Sequence, residues 1–171
     1  MIRIFLTGAV FLTLPVSTAN TPTFLSRNLE VCEEKTTEVE KIVDTSSAFI
    51  QALIQVESTN NDSAVGDNGR AVGPLQIWPI TVREVNRILS LKGSSKRYTL
   101  SDRWSRTKSI QMFDIWRNHH LPEAPLEVVA RTWNGGTKYR FSKDATEYWK
   151  KVKYNLDLNL KDPIFREVIR K

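Results

Sequence analysis

FIQALIQVESTNNDSAVGDNGRAVGPLQIWPITV, residues 49 to 82, changes texture twice, and those changes decide the kind of fold. Phe49, Ile50, Leu53 and Ile54 recur at helical spacing after Asp44-Thr45-Ser46, a plausible helix start, so a core helix is predicted that ends near Ser58. From Thr59 to Gly73 the residues turn small and polar, and Asn60-Asn61-Asp62 and Gly66-Asp67-Asn68-Gly69 are turn chemistry. Ala64-Val65 and Ala71-Val72 flank the second of these turns as the arms of a short hairpin. Pro79 then opens a second helix, in which Val82, Val85, Ile88 and Leu89 repeat at helical intervals until Gly93-Ser94-Ser95.

The pattern continues toward the C-terminus. Ser101 or Asp102 caps a third helix that carries Trp104, Ile110, Phe113 and Trp116 and runs to His119-His120 before Pro122. Pro125 begins another through Val128, Val129 and Trp133, ended by Gly135-Gly136. Two shorter helices are predicted around 143 to 156 and 163 to 170. The fold class expected is mainly α, a helical domain with one small β-hairpin beside a groove.

Toward the N-terminus, Arg3 precedes an apolar run from Ile4 to Val16, and Ser17-Thr18-Ala19 offers small residues at the positions a signal peptidase reads. About 13 apolar residues fall short of the roughly 20 that span a bilayer, so cleavage after Ala19 and export are expected, with no stable membrane insertion afterwards. Residues 20 to 44 read as a polar leader or a solvated first helix, and residues 45 to 171 as a single domain, expected to be a monomer. Losing Arg3 lowers the formal charge of +6 by one, so the mature chain stays basic and suits polyanionic partners. Cys32 is the single cysteine, so an intrachain disulfide is excluded and the core must hold without one.

Glu57 shares a helix face with Ile50, Leu53 and Ile54. A carboxyl group on an apolar stripe is uncommon, and partial burial raises its pKa, so that it keeps a proton to donate. A helix-end glutamate turned to solvent or paired with an arginine would fit the stripe as well.

Glu57-Ser58, Gly66-Asp67-Asn68-Gly69 and Gly73-Pro74-Leu75-Gln76-Ile77-Trp78-Pro79-Ile80-Thr81, followed by Trp133-Asn134-Gly135-Gly136 and then Thr146, Tyr148 and Val152, resemble in that order the motifs of the lysozyme-like superfamily. Soluble lytic transglycosylases and goose-type lysozymes are the members concerned, and the resemblance covers residues 45 to 152. It implies that Glu57 is a catalytic acid acting on peptidoglycan glycan strands. It also implies substrate-side places for Ser58, Gly73, Gln76, Trp133, Asn134 and Tyr148. Gly73 would let a sugar or the Glu57 helix approach its backbone. Gln76 and Asn134 would offer amides to sugar hydroxyls and N-acetyl groups. Trp133 and Tyr148 would give flat faces, and the Tyr148 hydroxyl would reach substrate or the Glu57 carboxyl.

Asp67 is the possible second carboxylate, resembling the Gly-Asp-x-Gly aspartate of goose-type lysozymes; a plain turn residue bonding its own backbone is the alternative. The family's other aspartate place is occupied by Trp78. One convincing carboxylate favours a transglycosylase, in which the same group serves as acid and then base, over a hydrolytic lysozyme pairing Glu57 with Asp67. A glycan-binding wall protein without catalysis, and a basic nucleic-acid module with charge but no motif, are the readings from other classes. No cofactor is expected. Nor is a metal, because His119 and His120 are adjacent on a helix and should diverge, with no cysteine or paired carboxylate at ligand spacing. Trp78, Trp104, Trp116 and Trp149 stay undivided between core and groove wall.

Overall fold

The computed structural model of the protein describes residues 45–162. They belong to one compact unit, Val39–Lys171. The predicted signal peptide, the segment from 20 to 44 with Cys32, and the predicted helix at 163 to 170 lie outside the described residues.

Five helices and one two-stranded antiparallel sheet make up what is described, the mainly α fold with a small hairpin that the sequence predicts. In chain order they are α1 (45–58), β1 (Val65–Gly66), β2 (Ala71–Val72), α2 (Pro79–Leu91), α3 (Arg106–His120), α4 (Leu126–Tyr139) and α5 (Lys143–Lys161). Single 3-10 turns occupy Asp67–Gly69 and Leu100–Trp104. Among the described residues no helix is long and apolar enough to cross a membrane.

The core is built around α1. Ala48, Phe49, Ala52, Leu53 and Ile54 are fully buried, so the apolar stripe is covered almost all round. Burial of one such Leu, Ile or Phe contributes about 1.5 to 3 kcal/mol. The Phe49 ring meets Phe113 of α3 with centroids 6.4 Å apart. From α5, Asn159 Nδ2 donates to the Ala48 carbonyl at 3.0 Å. These contacts fix the axis of α1, and with it the position of Glu57 in its last turn.

Local chemistry sets the element ends. Pro79 stands at the first position of α2 and holds Trp78 before it in an extended conformation. At the other end Gly93 takes φ +69°, its N–H bonds the Ser90 carbonyl and the Ser94 N–H bonds the Leu89 carbonyl, the bond pattern that closes a helix through a left-handed residue.

Three boundaries differ from expectation. The cap of α3 is Ser105, whose hydroxyl accepts from the Lys108 N–H, and not Ser101 or Asp102. Those two lie in the preceding 3-10 turn, where Thr99 and Asp102 cap each other reciprocally, so that Trp104 precedes the helix. In α4 the backbone breaks at Gly136, φ +66° and ψ 174°, but one more turn carries the element to Tyr139. Helix α5 continues past 156 to Lys161, with Leu156 buried on its inner face.

The hairpin pairs Val65 with Val72 and Gly66 with Ala71. A second tight turn follows at once, because Val72 also bridges Ile77. Arg103, only 8% exposed, clamps both turns: its Nη1 donates to the Arg70 and Ile77 carbonyls at 3.0 Å each, and its Nε donates to the Leu100 carbonyl at 2.9 Å. The cation is satisfied by carbonyls and not by a carboxylate, and burial lowers its pKa.

Candidate active site

Glu57 lies at the C-terminal end of α1, where the helix leaves the core and meets a cleft of about 450 Å³. That volume is in the range of small-ligand sites. The hairpin contributes Gly66, Asp67 and Ala71; Gln76 and Trp78 follow it; Thr81 lies in the first turn of α2. Trp116 of α3 and Trp133 and Asn134 of α4 form the facing wall. Trp133 sits in α4 itself and not in a turn. It is held edge-on to Phe113 and to Trp116, with centroids 5.0 and 5.1 Å away, so its ring is fixed by the core. A second hollow, of about 380 Å³, opens beyond Glu57 and Asn134 toward Asp144, Glu147, Tyr148 and Lys151 of α5. Glu57 and Asn134 border both hollows.

The Tyr148 hydroxyl donates to Glu57 Oε1 at 2.7 Å, bringing together residues that are 91 positions apart. The Glu57 pKa is raised from an ordinary 4.5 to about 7. Loss of solvent is the largest cause; the hydrogen bond from Tyr148 opposes it, the negative charge of Asp67 adds to it, and the Trp133 indole opposes it. Tyr148 is itself buried, and burial followed by the neighbouring Glu57 charge pushes its phenol well above the usual value. At neutral pH the pair is therefore a carboxyl group close to half-protonated beside a phenol that stays protonated. Such a carboxyl donates and recovers a proton with little cost in either direction.

Asp67 lines the same cleft. Its Oδ2 accepts from the Trp78 indole at 3.2 Å, so its carboxylate is oriented by a neighbouring side chain. The Arg70 guanidinium lies 4.6 Å over the Trp78 ring. Asp67, at φ +47°, and Asn68, at φ +55°, adopt left-handed backbone, which these two residue types tolerate better than most.

Three expected substrate-side residues have partners inside the protein. Ser58 is buried and its hydroxyl donates to the Ile54 carbonyl one helical turn earlier, outside the cleft. Gly73 packs against the Leu100–Trp104 turn. Its backbone, at φ +79°, is met by the Arg103 carbonyl, which a β-carbon there would overlap. Gln76 does line the cleft, but both its amide hydrogens are used inside the protein: Nε2 donates to the Gly73 carbonyl at 2.9 Å and to the Ala64 carbonyl at 3.2 Å. Its backbone at φ +47° is strained, at a cost of about 1 to 3 kcal/mol, and those two bonds hold it there. Residues 73 to 76 thus act as a clip that fixes the hairpin.

The structure brings together Glu57, Asp67, Gln76, Trp133, Asn134 and Tyr148 and leaves out Ser58 and Gly73. It adds Trp78, Thr81 and Trp116 to the wall. Of the four undivided tryptophans, two are therefore wall; Trp149 packs partly buried against the core and Trp104 is exposed. Arg103 was invisible to sequence reasoning, since an arginine ordinarily reads as surface. His119 and His120 do not diverge as expected: their rings stand edge to face with centroids 4.8 Å apart, at the end of α3, and Glu84 of α2 lies beside them.

The chain matches no protein-family model, and searches of curated proteins and of solved structures found no match either.

Proposed function

We propose that the protein cleaves the glycan strand of peptidoglycan as a lytic transglycosylase, acting on the β-1,4 bond between N-acetylmuramic acid and N-acetylglucosamine. The observation that carries this reading is the Glu57 carboxyl group, raised to about 7 and held by the Tyr148 hydroxyl in a cleft walled by tryptophans. The ordered motifs that resemble the lysozyme-like superfamily support the same assignment. The basic sequence suits a wall rich in carboxylates, and export behind the predicted signal peptide would bring it there.

Protonated Glu57 donates to the glycosidic oxygen, and the bond from the muramic anomeric carbon to that oxygen breaks with charge developing on the sugar ring. The C6 hydroxyl of the same sugar attacks the anomeric carbon while the Glu57 carboxylate takes the hydroxyl proton. A 1,6-anhydro sugar forms, a new 4-hydroxyl end is released, and Glu57 is protonated again with no water consumed. The Tyr148 hydroxyl holds Oε1 through both steps. Trp133, Trp116 and Trp78 offer faces to sugar C–H groups, and Asn134, exposed at the meeting of the two hollows, offers an amide to an N-acetyl group.

Asp67 favours a second reading. A carboxylate across the same cleft that positions a water would make the enzyme a hydrolytic lysozyme. Both readings require Glu57. Glu57→Gln keeps the shape of the side chain and still accepts from Tyr148 but cannot cycle a proton, so cleavage of purified peptidoglycan should fall about 100-fold or more with wall binding retained. Undiminished cleavage by the variant would remove Glu57 from the mechanism. Wild-type binding without any cleavage would leave a glycan-binding protein.

A further inference from the structure

Away from the cleft, side chains from α2 and α3 converge on one point. Glu84 of α2 and His119 and His120, the last residues of α3, each place one ligand atom within 4.8 Å of the other two. His120 Nε2 already meets Glu84 Oε1 at 2.8 Å. We propose that Glu84, His119 and His120 form a zinc site that ties α2 to α3.

Two imidazoles and one carboxylate are the donor set of a three-ligand zinc centre with an open fourth position. The borderline-soft nitrogens favour zinc over magnesium or calcium, which take oxygen ligands. With zinc–ligand bonds of roughly 2.0 to 2.1 Å, tetrahedral ligand atoms stand roughly 3.3 Å apart. The closest pair must open slightly and the widest must close by an ångström or two, which side-chain rotation at an exposed helix end supplies. Arg87 bonds both oxygens of Glu84 at 2.7 Å. A carboxylate has about four lone-pair positions, so the ion takes the one that now faces His120 while Arg87 keeps its hold on Oε2.

The site's place in the fold gives it a consequence. Glu84 is three residues beyond Thr81, and His120 four beyond Trp116, and both of those earlier residues line the cleft. The His120 and Trp116 rings are 5.7 Å apart. An ion there would pin together two helices whose adjoining turns both line the groove, stabilising the folded chain by mass action.

The test is calorimetric titration of zinc chloride into the metal-stripped protein, prepared without a polyhistidine tag, with melting followed in parallel. One zinc per chain and a rise in melting temperature are expected, with binding weakened tenfold or more by His120→Ala and by Glu84→Gln, and unchanged by Cys32→Ser. The melting temperature in chelator should be the same for Glu84→Gln and wild type within a few degrees, which separates loss of the ion from loss of fold. No binding at about 100 μM zinc, or binding that survives a His119→Ala/His120→Ala double variant or disappears with Cys32→Ser, would overturn the site.

Discussion

At the scale of the residue, the account turns on the proton of Glu57. Its carboxyl is raised to about 7 chiefly because it is buried at the end of α1, so the folded state holds this proton more tightly than the unfolded chain does. Folding is therefore favoured at low pH, and on the order of 3 kcal/mol of stability is lost as pH rises from 4.5 through about 7. Glu57→Gln carries no charge to desolvate, so its melting temperature should exceed that of the wild type at pH 8 and converge with it near pH 4.5. An identical pH dependence of melting in both proteins would show that the carboxyl is not shielded. The Tyr148 hydroxyl works in the opposite direction, because it donates to the charged form. Tyr148→Phe should thus push Glu57 up further and move the alkaline limb of the activity profile to higher pH, whereas a lower rate with an unmoved limb would assign Tyr148 to packing alone.

At the scale of the element, the hairpin is the part that aims Asp67 and Gln76, and it is held by contacts that leave no room. Gly73 faces the Arg103 carbonyl at a positive φ, so Gly73→Ala should cost about 3 kcal/mol or more in a denaturant melt. A loss well under 1 kcal/mol would mean that the Leu100–Trp104 turn is free to shift. The helices were legible in the sequence because their apolar residues recur with the right period between Pro79, Gly93 and Pro125. The hairpin was legible from its turn residues. What misled was capping chemistry used for a shorter purpose: Ser101 and Asp102 read as helix caps but lie in a 3-10 turn that Thr99 and Asp102 close, and Ser105 caps α3. In the cleft, Glu57, Asp67, Asn134 and Tyr148 could be read from motifs. The roles of Gly73 and Gln76 could not, because a residue that supports a loop and one that binds a ligand leave the same trace in a single sequence. Arg103 left none, since the carbonyls it satisfies come from backbone 26 and 33 positions away.

At the scale of the molecule, the fold places a rigid acid in the side of an open groove. The stem of α1 is locked by Phe113 from α3 and by Asn159 and Tyr148 from α5, while the walls of the cleft are supplied by the hairpin and by tryptophans that brace one another. On the proposed reading, reaction needs little rearrangement of the protein, since Glu57 and Tyr148 are already paired without substrate. Two hollows border Glu57, an arrangement that on the proposed reading suits a polymer lying across the acid. If the protein cleaves glycan as proposed, the product tells whether water or the sugar's own hydroxyl completes the reaction. The most direct measurement is mass spectrometry of the muropeptides released from purified peptidoglycan: anhydro-muramic ends, lighter by one water, are predicted, whereas reducing ends would make the enzyme a hydrolase that uses Asp67, and the absence of any released fragment would contradict cleavage itself.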